Sequence, residues 1–224
     1  MPTWRAALQI LAKELRLEFR TRELLNATIV FALIVVVLFS FAFDPTAADS
    51  RRYGPGLLWI AFLFAASLML NPSFARERAN DTLDALRLAP ISSFAILLGK
   101  ILANFLFLAA AEVVLVPIFG VLYNISIFGI VGRLALVLAL GTFGMVVTGT
   151  VFSAISAQAR MRELLLPLLL LPILAPLLIA AVESTASLFA LDPALDSTWL
   201  SFLGGFDVVF LTASWLLCDY LFEE

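Results

Sequence analysis

Apolar residues in this chain come in long unbroken runs rather than in the short stripes of a soluble fold. Crossing about 30 Å of hydrocarbon takes roughly 17–25 helical residues. Six runs reach that length, at about 25–43, 57–75, 95–119, 132–155, 164–182 and 199–221. Polar interruptions separate them at 44–56, 76–93, 123–131, 156–163 and 183–198. The third and fourth runs nearly merge, because 116–135 is apolar almost throughout; Tyr123, Asn124 and Ser126 mark a turn between them. In lipid every backbone polar group has to be satisfied within the segment, so such runs are helices. The pattern predicts an all-α integral membrane protein, a single transmembrane domain over residues 1–224 with six transmembrane helices.

Residues 3–22 carry a different pattern. Trp4, Ala7, Leu8, Leu11, Leu15 and Phe19 recur at helical spacing, while Lys13, Glu14, Arg16, Arg20 and Arg22 fill the other positions. That alternation predicts an amphipathic helix lying in the membrane interface within residues 1–24, its basic face toward anionic headgroups. The charge spread through residues 1–23 also leaves no apolar core of the kind a cleavable signal peptide needs.

Composition agrees with the runs and narrows the chemistry. Hydrophobic residues make up 62% of the 224 residues and charged residues 14%, with a mean hydropathy of +1.05. A soluble domain of that composition could not cover its own apolar side chains; lipid is the solvent that accepts them. No polar stretch is long enough for a soluble domain, so a soluble partner has to be a separate polypeptide. A lone cysteine, Cys218, excludes an internal disulfide, a CxxC redox pair and a cysteine zinc cage. Histidine is absent, which removes the commonest haem ligand, general base and pH switch.

Basic residues orient the helices. Arg5, Lys13, Arg16, Arg20, Arg22, Arg76, Arg78, Arg87, Lys100, Arg160 and Arg162 fall on one side, and Arg51, Arg52 and Arg133 on the other, eleven against three. The positive-inside rule then predicts both termini on the cytoplasmic side. Trp59 and Trp199, at the starts of the second and sixth spans, are expected in the opposite headgroup zone.

Four features could carry chemistry. In the loop 76–93, Asn80 or Asp81 can cap a helix that Pro90 ends, with Leu83 and Leu86 on one face and Glu77, Arg78, Asp81, Asp84 and Arg87 around them. Ser92 or Ser93 then caps the third span. This short helix either docks on a partner or is an ordinary connector. Pro167, Pro172 and Pro176 predict a kinked or locally opened fifth span, as a fixed bend or as a moving element. Glu112 and Asp207 lie inside spans, where an ionised group costs at least about 2.5–3.5 kcal/mol, so both are expected to face the bundle interior or be protonated. Asp207 follows Gly204-Gly205 and is read in a broken, wetter stretch. Gly141, Gly144 and Thr148 form a small-residue stripe of the kind used for close helix packing. No phosphate loop, nucleophile elbow or metal site is visible; Met145 and Met161 are weak haem-ligand candidates.

The motifs together resemble one family. Glu18-Phe-Arg-Thr-Arg-Glu-Leu-Leu-Asn26, Phe39-Ser-Phe41, Pro55-Gly-Leu-Leu-Trp-Ile60, Phe74-Ala-Arg-Glu-Arg78, Leu88-Ala-Pro90, Gly99-Lys100 and Arg162-Glu-Leu-Leu-Leu-Pro167 occur in the order found in the CcmB family. These are the haem exporter B, permease-type subunits of the cytochrome c maturation ABC complex. The resemblance covers nearly the whole chain and is only generic after Pro176. It implies an ABC type-2-like transmembrane subunit of the bacterial cytoplasmic (inner) membrane, whose amphipathic helix is an elbow. It further implies that 76–93 is the loop coupled to a separate cytoplasmic ABC ATPase subunit. The other partners it implies are a haem-handling membrane subunit, a small single-span membrane subunit and a periplasmic haem chaperone; it also allows a second copy of the chain. Haem and ATP would be handled by those partners, with no cofactor and no catalytic residue on this chain. Nucleic acid is not an expected partner. An ATP-independent secondary carrier using Glu112 and Asp207, or a structural assembly scaffold, are the competing expectations.

Overall fold

The computed structural model describes residues 3–42, 47–74, 91–156 and 162–222. Among these the chain forms α1 (Thr3–Thr21), α2 (Glu23–Ala42), α3 (Ala47–Leu70), α4 (Ser93–Leu122), α5 (Val131–Ser156), α6 (Arg162–Phe189) and α7 (Ser197–Phe222). The last six are long and apolar enough to cross a membrane. The end of α3, the start of α4, the end of α5 and the start of α6 meet with α1 at one end of the bundle. The end of α2, the start of α3 and the connections after α4 and α6 lie at the other end.

Two expected boundaries move. α3 starts at Ala47, ten residues before the apolar run, and passes through Pro55. A proline two turns into a helix removes one backbone bond, here ahead of the apolar run, and the rest of α3 stays helical. α6 continues to Phe189, past Glu183, Ser184 and Thr185, which read as loop. Ser184 and Thr185 are buried, and the Thr185 hydroxyl donates back to the Ala181 carbonyl at 2.8 Å, so polar side chains sit in the span without breaking it. Other ends fall as expected. The Ser92 side chain accepts from the Ala95 N–H at 3.3 Å, and Tyr123 caps α4 before Asn124 turns the chain with φ of 51°.

α5 is the most buried span and α2 the least. Its small residues let three neighbours approach its backbone, as the stripe predicts. A methyl group on Gly141 would overlap the Trp59 ring of α3. One on Gly144 would meet Asp207 Oδ1 of α7 at 2.6 Å and Leu177 of α6 at 2.9 Å. One on Gly149 would overlap the Leu70 side chain. Trp59 therefore departs from its expected place. It is only 1% exposed, inside the bundle rather than among headgroups, and its Nε1–H donates to Thr185 Oγ1 at 2.9 Å. A hydrogen-bond partner within the bundle and the space left by Gly141 account for the difference. Trp199 is half-buried. The break expected at Gly204-Gly205 is absent too, since α7 runs unbroken from Ser197 to Phe222 with ordinary helical bonding through both glycines.

Candidate functional site

α1 has three faces, which splits the single apolar face read from the sequence. Ala6, Ala7, Ile10 and Glu18 are buried against the bundle. Trp4, Leu8 and Phe19 are exposed along a second stripe, and Arg5, Lys13, Arg16 and Arg20 along a third. One side thus packs on protein, one offers apolar surface to lipid, and one carries the positive charge, as suits a helix lying in the interface. Contact with α4 is close, because a methyl group on Gly99 would come within 2.8 Å of the Ala7 carbonyl oxygen.

The bend into α2 is built from Glu18. Its carbonyl accepts the Arg22 N–H at 2.6 Å, and its carboxylate accepts the Leu25 N–H at 2.7 Å. A carboxylate at the start of α2 satisfies one of the unpaired N–H groups there and suits the positive end of the helix dipole. Arg22 takes φ of 53°, the left-handed conformation that reverses the chain between the two helices.

Next to this elbow lies a buried polar clasp. Lys100, seven residues into α4 and 2% exposed, donates to Glu14 Oε1 of α1 at 3.0 Å and to the Ser73 carbonyl at 2.6 Å. Its ammonium also lies 5.0 Å from the centre of the Phe74 ring. One turn further along α4, the Asn104 amide donates to Ser73 Oγ and to Thr150 Oγ1 of α5, both at 3.1 Å. Ser153 Oγ donates to the Leu70 carbonyl at 2.7 Å. Lys100 and Ser153 thus satisfy the Ser73 and Leu70 carbonyls where α3 ends, and a cation is the favoured charge at a helix C-terminus. Burial pushes the Glu14 carboxyl up, but the charges of Lys100 and Lys13 and their hydrogen bonds outweigh it and hold it below its ordinary value. A 30-residue helix is about 45 Å long against about 30 Å of hydrocarbon. Lys100 therefore lies near the boundary that α1 lines, not at mid-membrane.

The intramembrane acids lie elsewhere. Glu112 is buried on α4 and accepts a hydrogen bond from the Thr142 hydroxyl of α5. It borders an apolar groove of about 360 Å³ between α4 and α5, with Phe105, Val116, Pro117, Leu134 and Leu138. Asp207 is buried on α7 beside Gly144, and neither carboxyl oxygen has a hydrogen-bond partner among the described residues. Thr142 and Gly144 are two residues apart on α5, hence about 200° apart around it. The structure thus puts the two acids on opposite sides of α5 instead of bringing them together. Met145 is buried in the core.

α6 is helical through Pro167, Pro172 and Pro176, with Pro172 and Pro176 exposed on its outer face. Glu77, Arg78, Asp81, Leu83, Asp84, Leu86 and Arg87 lie outside the described residues, as does Met161. Among the described residues no group of three His, Cys, Asp or Glu side chains is arranged to hold a metal ion. Glu14, Glu18, Lys100 and Asn104 went unread as site residues. A signal for them exists: a lysine inside an apolar run needs a buried partner, and two acids four apart in a basic helix mark a face turned from the headgroups.

Interfacial helix, six spans and buried clasp define a multi-pass α-helical membrane subunit of permease type. The family model described as "CcmB protein" matches residues 5–217, and the chain belongs to the CcmB family. It is 33% identical over 195 residues to the heme exporter protein B of Pseudomonas aeruginosa, covering 87% of each chain. It is 34% identical over 174 residues to that of Rhodobacter capsulatus, covering 78% of this chain and 79% of the relative. The heme exporter protein B of Paracoccus denitrificans is 31% identical over 175 residues, covering 78% of this chain and 80% of the relative.

Proposed function

We propose that this chain is the membrane subunit of an ATP-driven complex of cytochrome c maturation. In that complex it couples hydrolysis by a separate cytoplasmic ABC ATPase to haem delivery or to release of a haem-loaded periplasmic chaperone. The observation that carries this reading is the clasp, which joins α1, the end of α3 and the start of α4 around the two roots of 75–90. A loop held that firmly at both ends can hand a push to the spans it connects. The heme exporter B relatives support the setting. With no histidine in the sequence, haem ligation falls to partner subunits, and the role of this chain is mechanical. A haem-handling membrane subunit and a small single-span subunit complete the proposed assembly, with room for a second copy of this chain. An ATP-independent carrier receives less support, because Glu112 and Asp207 flank α5 on opposite sides and form no shared relay.

The direct test is purification of the tagged chain from native membranes in mild detergent. A stoichiometric ATP-hydrolysing subunit is expected to come with it; an active preparation lacking any ATPase would sink the reading. Orientation is checked in a Cys218→Ser background. Cysteines at Asp49 and Asp192 are expected to react with an impermeant maleimide added from the periplasm, and a cysteine at Asp81 only from the cytoplasm. Periplasmic labelling at Asp81 would reverse the topology and remove the ATPase from reach.

A further inference from the structure

We infer that Lys100 is the positioning residue that makes α1 and the two roots of the 75–90 segment move as one body. The inference rests on the proposed reading of that segment as the ATPase-coupling loop. Ser73 and Phe74 are the last described residues before the segment, and Ile91 and Ser92 the first after it. The Lys100 ammonium reaches the carbonyl of Ser73 and the face of Phe74 on the departing side, while its own backbone lies two turns into the returning helix. Its bond to Glu14 adds α1, and the Asn104 bridge adds α5.

Each bond does something an apolar side chain could not. Methionine at position 100 would fill similar space, yet it would leave the Ser73 carbonyl without its donor and the largely buried Glu14 carboxylate with Lys13 alone, on its own helix. A helix end whose carbonyl has lost its buried donor is free to fray, since such groups are satisfied only by caps, water or ligands. The segment could then be displaced by distorting its own roots, and the displacement would not reach the spans. Glu14→Gln is milder, because the amide oxygen still accepts from Lys100 while the charge is lost. Exchanging the charges, Glu14→Lys with Lys100→Glu, would not restore the clasp. A carboxylate at 100 cannot donate to the Ser73 carbonyl.

The experiment uses the whole complex, purified with its ATPase and reconstituted into vesicles. Two quantities are read, ATP hydrolysed and haem-loaded chaperone released, and their ratio is the coupling. The Lys100→Met complex is expected to keep its ATPase subunit and hydrolyse ATP with coupling at least about fivefold lower, the lower bound of typical couplings between sites. Lys100→Arg, which retains donors and charge, is expected to recover most of it, and the charge exchange little. A merely structural lysine would lower yield or thermal stability and leave the ratio unchanged. Wild-type coupling in Lys100→Met overturns the inference. If Lys100→Met does not assemble, Glu14→Gln decides, with reduced coupling expected and an unchanged ratio overturning it. A wild-type complex with no ATPase brings down the coupling reading and this inference together, whereas a coupled wild type beside a coupled Lys100→Met brings down the inference alone.

Discussion

Replacing Leu83 and Leu86 together by aspartate is expected to strip the ATPase from the complex and abolish cytochrome c maturation, while the chain still inserts. Three residues apart, the two leucines would share a face of the short helix that the sequence predicts. A helix under about 12–15 residues is marginal alone in water, so a ridge this small would need docking to gain its order. Two carboxylates buried without partners would cost several kcal/mol. Since every 1.4 kcal/mol is about tenfold in affinity, a subunit interface is not expected to survive them. No span is altered, so membrane levels of the chain should stay normal. Co-purification of the ATPase and the yield of mature cytochrome c are the measurements. A double variant that keeps both would make the loop a plain connector. The outcome also differs from that at Lys100, where the ATPase stays and only its coupling is lost.

Gly141→Ala and Gly204→Ala are expected to move stability in opposite directions, although helix propensity alone favours alanine at both by up to about 1 kcal/mol. At Gly141 the added methyl overlaps the Trp59 ring, which is held in place by its bond to Thr185. Overpacking of that kind typically costs about 1–3 kcal/mol, enough to reverse the propensity gain. At Gly204 no heavy atom of the described residues lies within 4 Å of the new methyl, so the gain stands. Thermal midpoints of the purified chain, read by fluorescence-detected size exclusion, should fall for the first variant and hold or rise for the second. A stabilised Gly141→Ala chain would mean that Trp59 is not seated against α5.

What the sequence revealed was depth rather than direction. The length of each apolar run gave the spans, because spanning helices need enough apolar residues to cross the hydrocarbon. It could not say which side of a span faces inward. In α4 and α5 apolar residues lie all the way round, and an all-apolar helix has no stripe to orient it. Trp59 was therefore expected among headgroups, and Lys100 was counted only as a charge at a membrane boundary. α1 was more legible because it is amphipathic, yet even there one apolar face proved to be two, one against lipid and one against protein. The residues that build the clasp are separated by long stretches of chain, and contacts of that range leave no local pattern.

The bond between Glu14 and Lys100 spans 86 residues of sequence, and that separation imposes an order on biosynthesis. α1 leaves the ribosome before the third span, so an interfacial helix can bring its carboxylate to the membrane surface ahead of the lysine. When the third span enters the bilayer later, its lysine finds a counter-charge waiting at the boundary. A chain made without its first twenty or so residues would have to bring that ammonium into the bundle unaccompanied. Its fault would lie in membrane insertion, well before any question of ATP arose.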